Sequence, residues 1–263
     1  MSLHPSVAAV RGAVRSQLAQ YAAGDVVIVA CSGGPDSMAL LSATVFEGHK
    51  LGLHVLGVTV DHGLQEGSAA NAARVVEQMA RLGADETLTA TVRVEGEGMG
   101  PEAAARTARY AVLEEVAQRQ ASQGQGEVVV LLGHTLDDQA ETVLLGLTRG
   151  SGGRSLAGMR PGFAMFARPL LGVRRDDTVT ACQVEGIDVW EDPHNTDPGF
   201  TRVRVRHRVL PVLERELGPG VAQTLARTAE SLREDTEFLD ALADEAYARL
   251  DHPLPVDELA ELP

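Results

Sequence analysis

The sequence has 263 residues, 44% hydrophobic and 23% charged, the balance of an ordinary soluble globular protein with one large domain or a medium domain plus an appendage. No apolar run approaches the ~20 residues that cross a bilayer, and Met1 to Ala22 lacks the apolar core of a signal peptide, so a cytoplasmic protein without a membrane partner is expected. Cys31 and Cys182 form neither a Cys-x-x-Cys pair nor a disulfide framework, and the net charge of −14 argues at first against nucleic acid.

In chain order, Val26 to Ala30 is a β-branched apolar run ending at a glycine turn, the pattern of a buried parallel strand. A helix over Pro35–Phe46 follows, with proline in its first turn, where the missing N–H is harmless. His54–Val60 predicts a second strand and Ser68–Leu82 a helix. Glu86–Val94 predicts a third strand, Pro101–Gln120 a long helix, Glu127–Leu132 a fourth strand and Leu136–Leu147 the helix after it. Strands alternating with helices imply an α/β fold built on a doubly wound parallel sheet. Ligands on such sheets bind beyond the carboxyl ends of the strands, where strand order switches. The segments 31–37, 61–64 and 133–138 fall there.

After Gly150 the pattern loosens. Ser151-Gly152-Gly153 predicts a loop, Arg168-Pro169-Leu170-Leu171 an extended stretch and Glu191 to Asn195 a turn. Cys182 falls in a helical pattern. From Val221 to Leu250 the spacing is helical, acidic and alanine-rich. A boundary near Gly218-Pro219-Gly220 divides a catalytic domain, residues 1–217, from a helical C-terminal region, 218–263.

The first chemical signal is Ser32-Gly33-Gly34-Pro35-Asp36-Ser37, between the first strand and its helix. Two glycines let the backbone turn N–H groups toward an anion, and the helix start adds partial positive charge. Ser32 and Ser37 can donate to phosphate oxygens. A carboxylate repels phosphate, so Asp36 makes sense as a ligand of Mg2+ on the departing phosphates, needed there and not for packing. No lysine follows the glycines, which excludes a Walker A loop. The second signal is Gly133 to Thr142, where a strand delivers His134 to the sheet edge and a helix opens with Asp137 and Asp138. Asp137 and Glu141, four apart, share a helical face. Acidic residues in a first turn are also ordinary helix caps.

The Ser-Gly-Gly-x-Asp-Ser hexapeptide resembles the phosphate loop of the N-type ATP pyrophosphatases. That resemblance implies a Rossmann-like fold, cleavage of ATP to AMP and pyrophosphate, and an adenylated intermediate. An ordered set of blocks, at 60–64, 106–110, 133–153, 156–159, 168–171 and 191–195, resembles the tRNA(Ile)-lysidine synthetase family from about Val26 to Leu213. This implies a ligase that adenylates C2 of the wobble cytidine in a CAU-anticodon tRNA(Ile) and displaces AMP with free lysine. Carried over, Ser32, Gly33, Gly34, Pro35, Asp36 and Ser37 would grip ATP, with Asp36 on Mg2+, and Asp61 and His62 would line the nucleotide. Arg109, His134, Asp137, Asp138 and Glu141 would form the centre with Asp36. Thr135 departs from the family's usual histidine or asparagine.

Charge distribution qualifies the acidity. Between Arg149 and Arg215 there are 11 Arg against 8 Asp and Glu, so this segment is +3 and the remainder −17. Arg149 and the alternating Arg202, Arg204, Arg206 and Arg208 are candidates for RNA phosphates, on a strand sharing a face and on a helix spread about the axis. A solvated, ion-paired surface is the other reading, and the C-terminal region would belong to a tRNA-binding domain. Thiolation of tRNA would need reactive cysteines or a cluster. An amide-forming synthetase and a non-catalytic nucleotide sensor are the remaining alternatives, and the number of subunits, a homodimer included, stays open.

Overall fold

The computed structural model describes residues 3–61, 67–92, 101–124, 126–150, 152–190 and 193–249. His62 and the end of the expected third strand lie outside these residues. The chain divides into two compact units, Met1–Asp138 with Pro161–Arg204, and Gln139–Arg160 with Val205–Pro263.

The first unit opens with α1 (Pro5–Leu18) and alternates β1 (Val26–Ala30), α2 (Pro35–Lys50), β2 (His54–Asp61), α3 (Ser68–Arg81), β3 (Glu86–Thr91), α4 (Pro101–Ser122) and β4 (Val128–Leu132). The strands β5 (Gly162–Phe163) and β6 (Phe166–Ala167) and the helix α7 (Arg175–Glu185) follow later in the chain. The sheet order is β3-β2-β1-β4-β6-β5. All pairings are parallel except β5 against β6. From β1 the chain winds outward through β2 and β3, then returns through α4 to place β4 on the other side of β1. The switch in strand order therefore falls between β1 and β4, and the loops after these two strands share one end of the sheet.

The β-branched run Val26–Val29 is fully buried, as a central parallel strand requires. On one sheet face α1, α2 and α7 pack together. The stripe Val7, Val10, Val14 and Leu18 supplies α1's share at the 3–4 spacing of a helical face. On the other face Leu113, Val116 and Ala117 of α4 meet Ile28, Val130 and Phe166. No helix among the described residues is long and apolar enough to cross a membrane.

The second unit takes α5 (Leu136–Arg149) from Gln139 onward, α6 (Gly153–Leu156), a π-helical turn (Val205–Val209), α9 (Leu210–Leu217) and α10 (Val221–Ala248). The Gln139 amide clamps Met159, donating to its carbonyl at 3.0 Å and accepting its N–H at 2.6 Å. Gly158, at φ +64, lies under that clamp, where a Cβ would come 2.7 Å from Gln139 Oε1. Glu214 accepts the Gly220 and Ala222 N–H groups at 2.7 and 3.0 Å and so caps α10.

Three expectations change. Residues 168–171 are not extended, because Pro169–Gly172 is a 3₁₀ turn closed by the Val173 N–H on Leu170 O. Gly153 opens a short helix rather than continuing a loop. The arginines 202–208 lie on helix, α8 (Thr201–Arg204) running into the π-helical turn, which settles the strand-or-helix choice.

Candidate nucleotide site

The loop after β1 is built around Gly33, whose φ of +85 lies in the left-handed region. A Cβ there would come 2.7 Å from Val75 Cγ2, so both conformation and space demand glycine. Gly33 O accepts the Trp190 N–H at 2.9 Å, bracing the loop from a residue that otherwise reads as packing. Ser37 Oγ accepts the Ser32 N–H at 3.1 Å and donates to Gly34 O at 3.0 Å, which locks the turn internally. Gly34 caps α2 without a side-chain bond. The first-turn amides are thus arranged as an anion seat, with Ser32 exposed beside them. The loop after β4 presses close, and a Cβ on Gly133 would lie 3.1 Å from backbone atoms of Asp36 and Ser37.

Asp36 does more than face a ligand. Its Oδ2 accepts Arg175 Nε at 3.0 Å and its Oδ1 accepts the Thr178 hydroxyl. Arg175 also donates through Nη2 to Asp138 Oδ1 at 3.0 Å, and its backbone N–H to Asp137 Oδ2 at 2.7 Å. The first turn of α7 therefore gathers the phosphate-loop carboxylate and both carboxylates that open α5. Burial, with the like charge of Asp138 adding to it, raises the Asp36 pKa, against the pull of Arg175 and Thr178. Asp138 also accepts the Thr135 N–H and hydroxyl at 2.9 and 3.0 Å, so it caps the helix as well as joining the cluster. Thr135, which departs from the family pattern, serves as its capping partner.

His134 stands between this cluster and a buried arginine. Arg168 Nε donates to His134 Nδ1 at 3.2 Å, and Arg168 Nη2 to the Tyr110 hydroxyl at 3.2 Å. The Arg168 guanidinium also lies 4.6 Å from the Phe163 ring centroid. Burial pushes the His134 pKa down to about 3. Arg109 is exposed on α4, and Asp61 ends β2, half-buried.

In the second unit Glu141 is fully buried, and both its oxygens are taken by Arg206, Nε to Oε1 at 2.6 Å and Nη2 to Oε2 at 3.0 Å. Arg206 and Glu141, expected from the sequence at RNA phosphates and in the catalytic centre, thus meet each other. In the first unit Arg204 donates to the carbonyls of Pro198 and Gly199 at 2.7 and 2.8 Å, which ties down its own turn. Arg202 is half-buried, while Arg149 and Arg208 are exposed. Arg175, Thr178 and Trp190 are site residues that sequence reasoning did not single out. The Arg-Arg pair opening a helix at 174–175 was the available signal.

Residues 11–213 match the PP-loop domain family. The chain is 55% identical over 247 residues to the tRNA(Ile)-lysidine synthase of Thermobifida fusca (strain YX), covering 94% of this chain and 74% of that protein. It is 52% identical over 229 residues to that of Leifsonia xyli subsp. xyli (strain CTCB07), covering 87% and 67%. With that of Salinispora tropica it shares 50% identity over 268 residues, covering 99% and 79%. Among solved structures it resembles the U34-tRNA thiolase NcsA from Methanococcus maripaludis, solved with its 4Fe–4S cluster, at a TM-score of 0.71 and 18% identity over 87% of this chain and 80% of that one. That likeness speaks to the fold alone. A PP-loop domain with relatives this close over most of its length makes the chain a member of the tRNA(Ile)-lysidine synthase family.

Proposed function

We propose that this chain catalyses ATP-dependent formation of lysidine in tRNA(Ile). The O2 oxygen of the wobble cytidine attacks the α-phosphate of ATP and pyrophosphate leaves. The side-chain amine of free lysine then attacks C2, and AMP departs with the oxygen. The observation that carries this reading is the convergence of Asp36, Asp137 and Asp138 on Arg175 at the switch point, in a chain of this family.

In this reading Ser32, Gly33, Gly34, Pro35, Asp36 and Ser37 hold the ATP phosphates through amides and hydroxyls, and Asp61 and His62 line the nucleotide. The hard oxygens of Asp36 suit Mg2+. Among the described residues no group of three or more His, Cys, Asp or Glu is arranged to hold a metal ion. Asp36 would hold such an ion together with oxygens of the nucleotide. When bound, it would supply charge neutralisation for the departing pyrophosphate. Asp137 faces the incoming ammonium and helps remove its proton, with Asp138 fixed beside it by Arg175 and Thr135. Arg109 reaches toward the cytidine, and Glu141, held by Arg206, anchors α5. The exposed Arg149 and Arg208 contact RNA phosphates. Residues 1–217 carry catalysis and the helical region from 218 belongs to the tRNA-binding part.

The two cysteines weigh against thiolation. Both are buried, and burial raises both thiols, Cys182 to about 12. The deciding experiment measures pyrophosphate exchange into ATP with and without a CAU-anticodon transcript, followed by incorporation of labelled lysine into that tRNA. Exchange that ignores the transcript, or lysine that stays free, overturns the reading.

A further inference from the structure

An arginine side chain carries five N–H donors and no acceptor, and it keeps its proton throughout the working pH range. When Arg168 Nε approaches His134 Nδ1 at 3.2 Å, the histidine nitrogen must supply a lone pair. A proton on Nδ1 would set two N–H groups against each other. The neutral ring therefore carries its hydrogen on Nε2. Arg168 is only 6% exposed, and Tyr110 and Phe163 hold it in place, so it is not free to turn away. Among the described residues the charges acting most strongly on His134 are the Arg168, Arg106 and Arg202 guanidiniums and the Asp138 carboxylate. These three guanidiniums, offset in part by Asp138, disfavour a second proton on the ring and favour an anionic neighbour.

We propose that Arg168 is a positioning residue that fixes His134 as a neutral Nε2–H donor, and that His134 uses this hydrogen on a phosphate oxygen of the nucleotide rather than acting as a base for lysine. The proposal rests on the lysidine-forming reading only for the identity of the nucleotide. A donor aimed at an oxygen that gains negative charge in the transition state is worth more than one to the ground state, and its loss lowers the rate by about 100- to 1000-fold. The downward shift of His134 agrees with this arrangement, since a ring that stays neutral at working pH keeps both the lone pair for Arg168 and the hydrogen for the substrate.

The test is nitrogen NMR of ring-labelled histidine in the full chain, with His134 assigned by H134Q. The expected spectrum gives Nδ1 the character of an unprotonated nitrogen and Nε2 that of a protonated one, with no titration above about pH 5. A non-cleavable ATP analogue should move the Nε2 resonance, and lysine alone should not. In pyrophosphate exchange H134Q, which keeps an N–H near the Nε2 position, should lose about ten-fold, and H134A about 100-fold or more. R168M should let the ring exchange between tautomers and add an acidic limb to the exchange profile, which R168K should largely remove. A proton on Nδ1, a midpoint near pH 6.5, a response to lysine instead of nucleotide, or equal losses in H134Q and H134A would each overturn the proposal. The wild-type spectra decide it even if R168M does not fold. Failure of lysine transfer with intact His134 spectra would sink the lysidine reading and leave the donor assignment standing.

Discussion

Arg175 Nε meets Asp36 Oδ2 at 3.0 Å across 139 residues of chain, and the same guanidinium reaches Asp138. The phosphate-loop carboxylate is thus part of a packed ionic cluster, against the expectation that it is not needed for packing.

Substitution of Asp36 should accordingly do two things. Asp36→Ala removes an acceptor from Arg175 and from Thr178, so it should lower unfolding free energy by about 1–3 kcal/mol and abolish pyrophosphate exchange. Asp36→Asn keeps the shape and should recover most of the stability but little of the exchange. Urea midpoints beside exchange rates separate the two effects, and a fully stable Asp36→Ala would show that the cluster contributes nothing.

Glu141 and Arg206 should behave as a structural pair. Removing one partner of a buried ion pair typically costs about 3–5 kcal/mol, because the other charge is left stranded. Glu141→Ala and Arg206→Met should each destabilise strongly, while the double variant recovers a large part. A double-mutant cycle in urea measures the coupling, and strictly additive losses would dismiss it. Asp137→Ala, by contrast, should raise the lysine KM more than the ATP KM, by about 1.5–3 kcal/mol for removal of a carboxylate–ammonium pair.

Stability should fall in mild acid. The His134 pKa is pushed down to about 3 in the fold, below the ordinary value of about 6.5. Between those values the unfolded chain binds a proton that the native one refuses. Unfolding free energy therefore decreases as pH drops below about 6.5, by at most about 1.4 kcal/mol per pH unit from this group. His134→Gln should flatten that slope in urea titrations from pH 7 to pH 5. An unchanged slope would assign the acid sensitivity to other groups.

The affinity for tRNA should depend on salt through the exposed arginines. Each RNA phosphate that is no longer neutralised reduces the log–log slope by about 0.7 to 0.9. Arg149→Gln and Arg208→Gln should flatten the salt dependence and leave ATP binding alone. Arg204→Gln, whose guanidinium ties down Pro198 and Gly199, should change thermal stability instead of slope. Filter binding across a salt series distinguishes them.

The fold from Val26 to Arg149 is legible in the sequence because each strand is a short β-branched or alternating run punctuated by glycine, and the starts of α2, α4 and α5 carry proline or acid. The stripe of α1 is equally regular, yet it precedes the first strand and carries no chemistry that draws the eye to it. The phosphate loop and the start of α5 are legible because their chemistry is local in sequence. Arg175 and Thr178 are not, since what makes them site residues is a meeting with Asp36 that only the return of α7 to the sheet creates. The arginine series misleads for a related reason. Spacing cannot tell that Arg206 turns to a buried glutamate while Arg208 stays in solvent.

The close approach at Gly133 makes the two switch-point loops mechanically dependent on each other. With no side chain between residue 133 and the backbone of Asp36 and Ser37, there is no compressible layer to absorb displacement. A shift of a few tenths of an ångström in the first turn of α2, on the scale that separates ordinary from tight packing, must be taken up by the peptide that leads directly into His134. On the proposed nucleotide site, filling the phosphate seat would press through this contact on the peptide that carries His134.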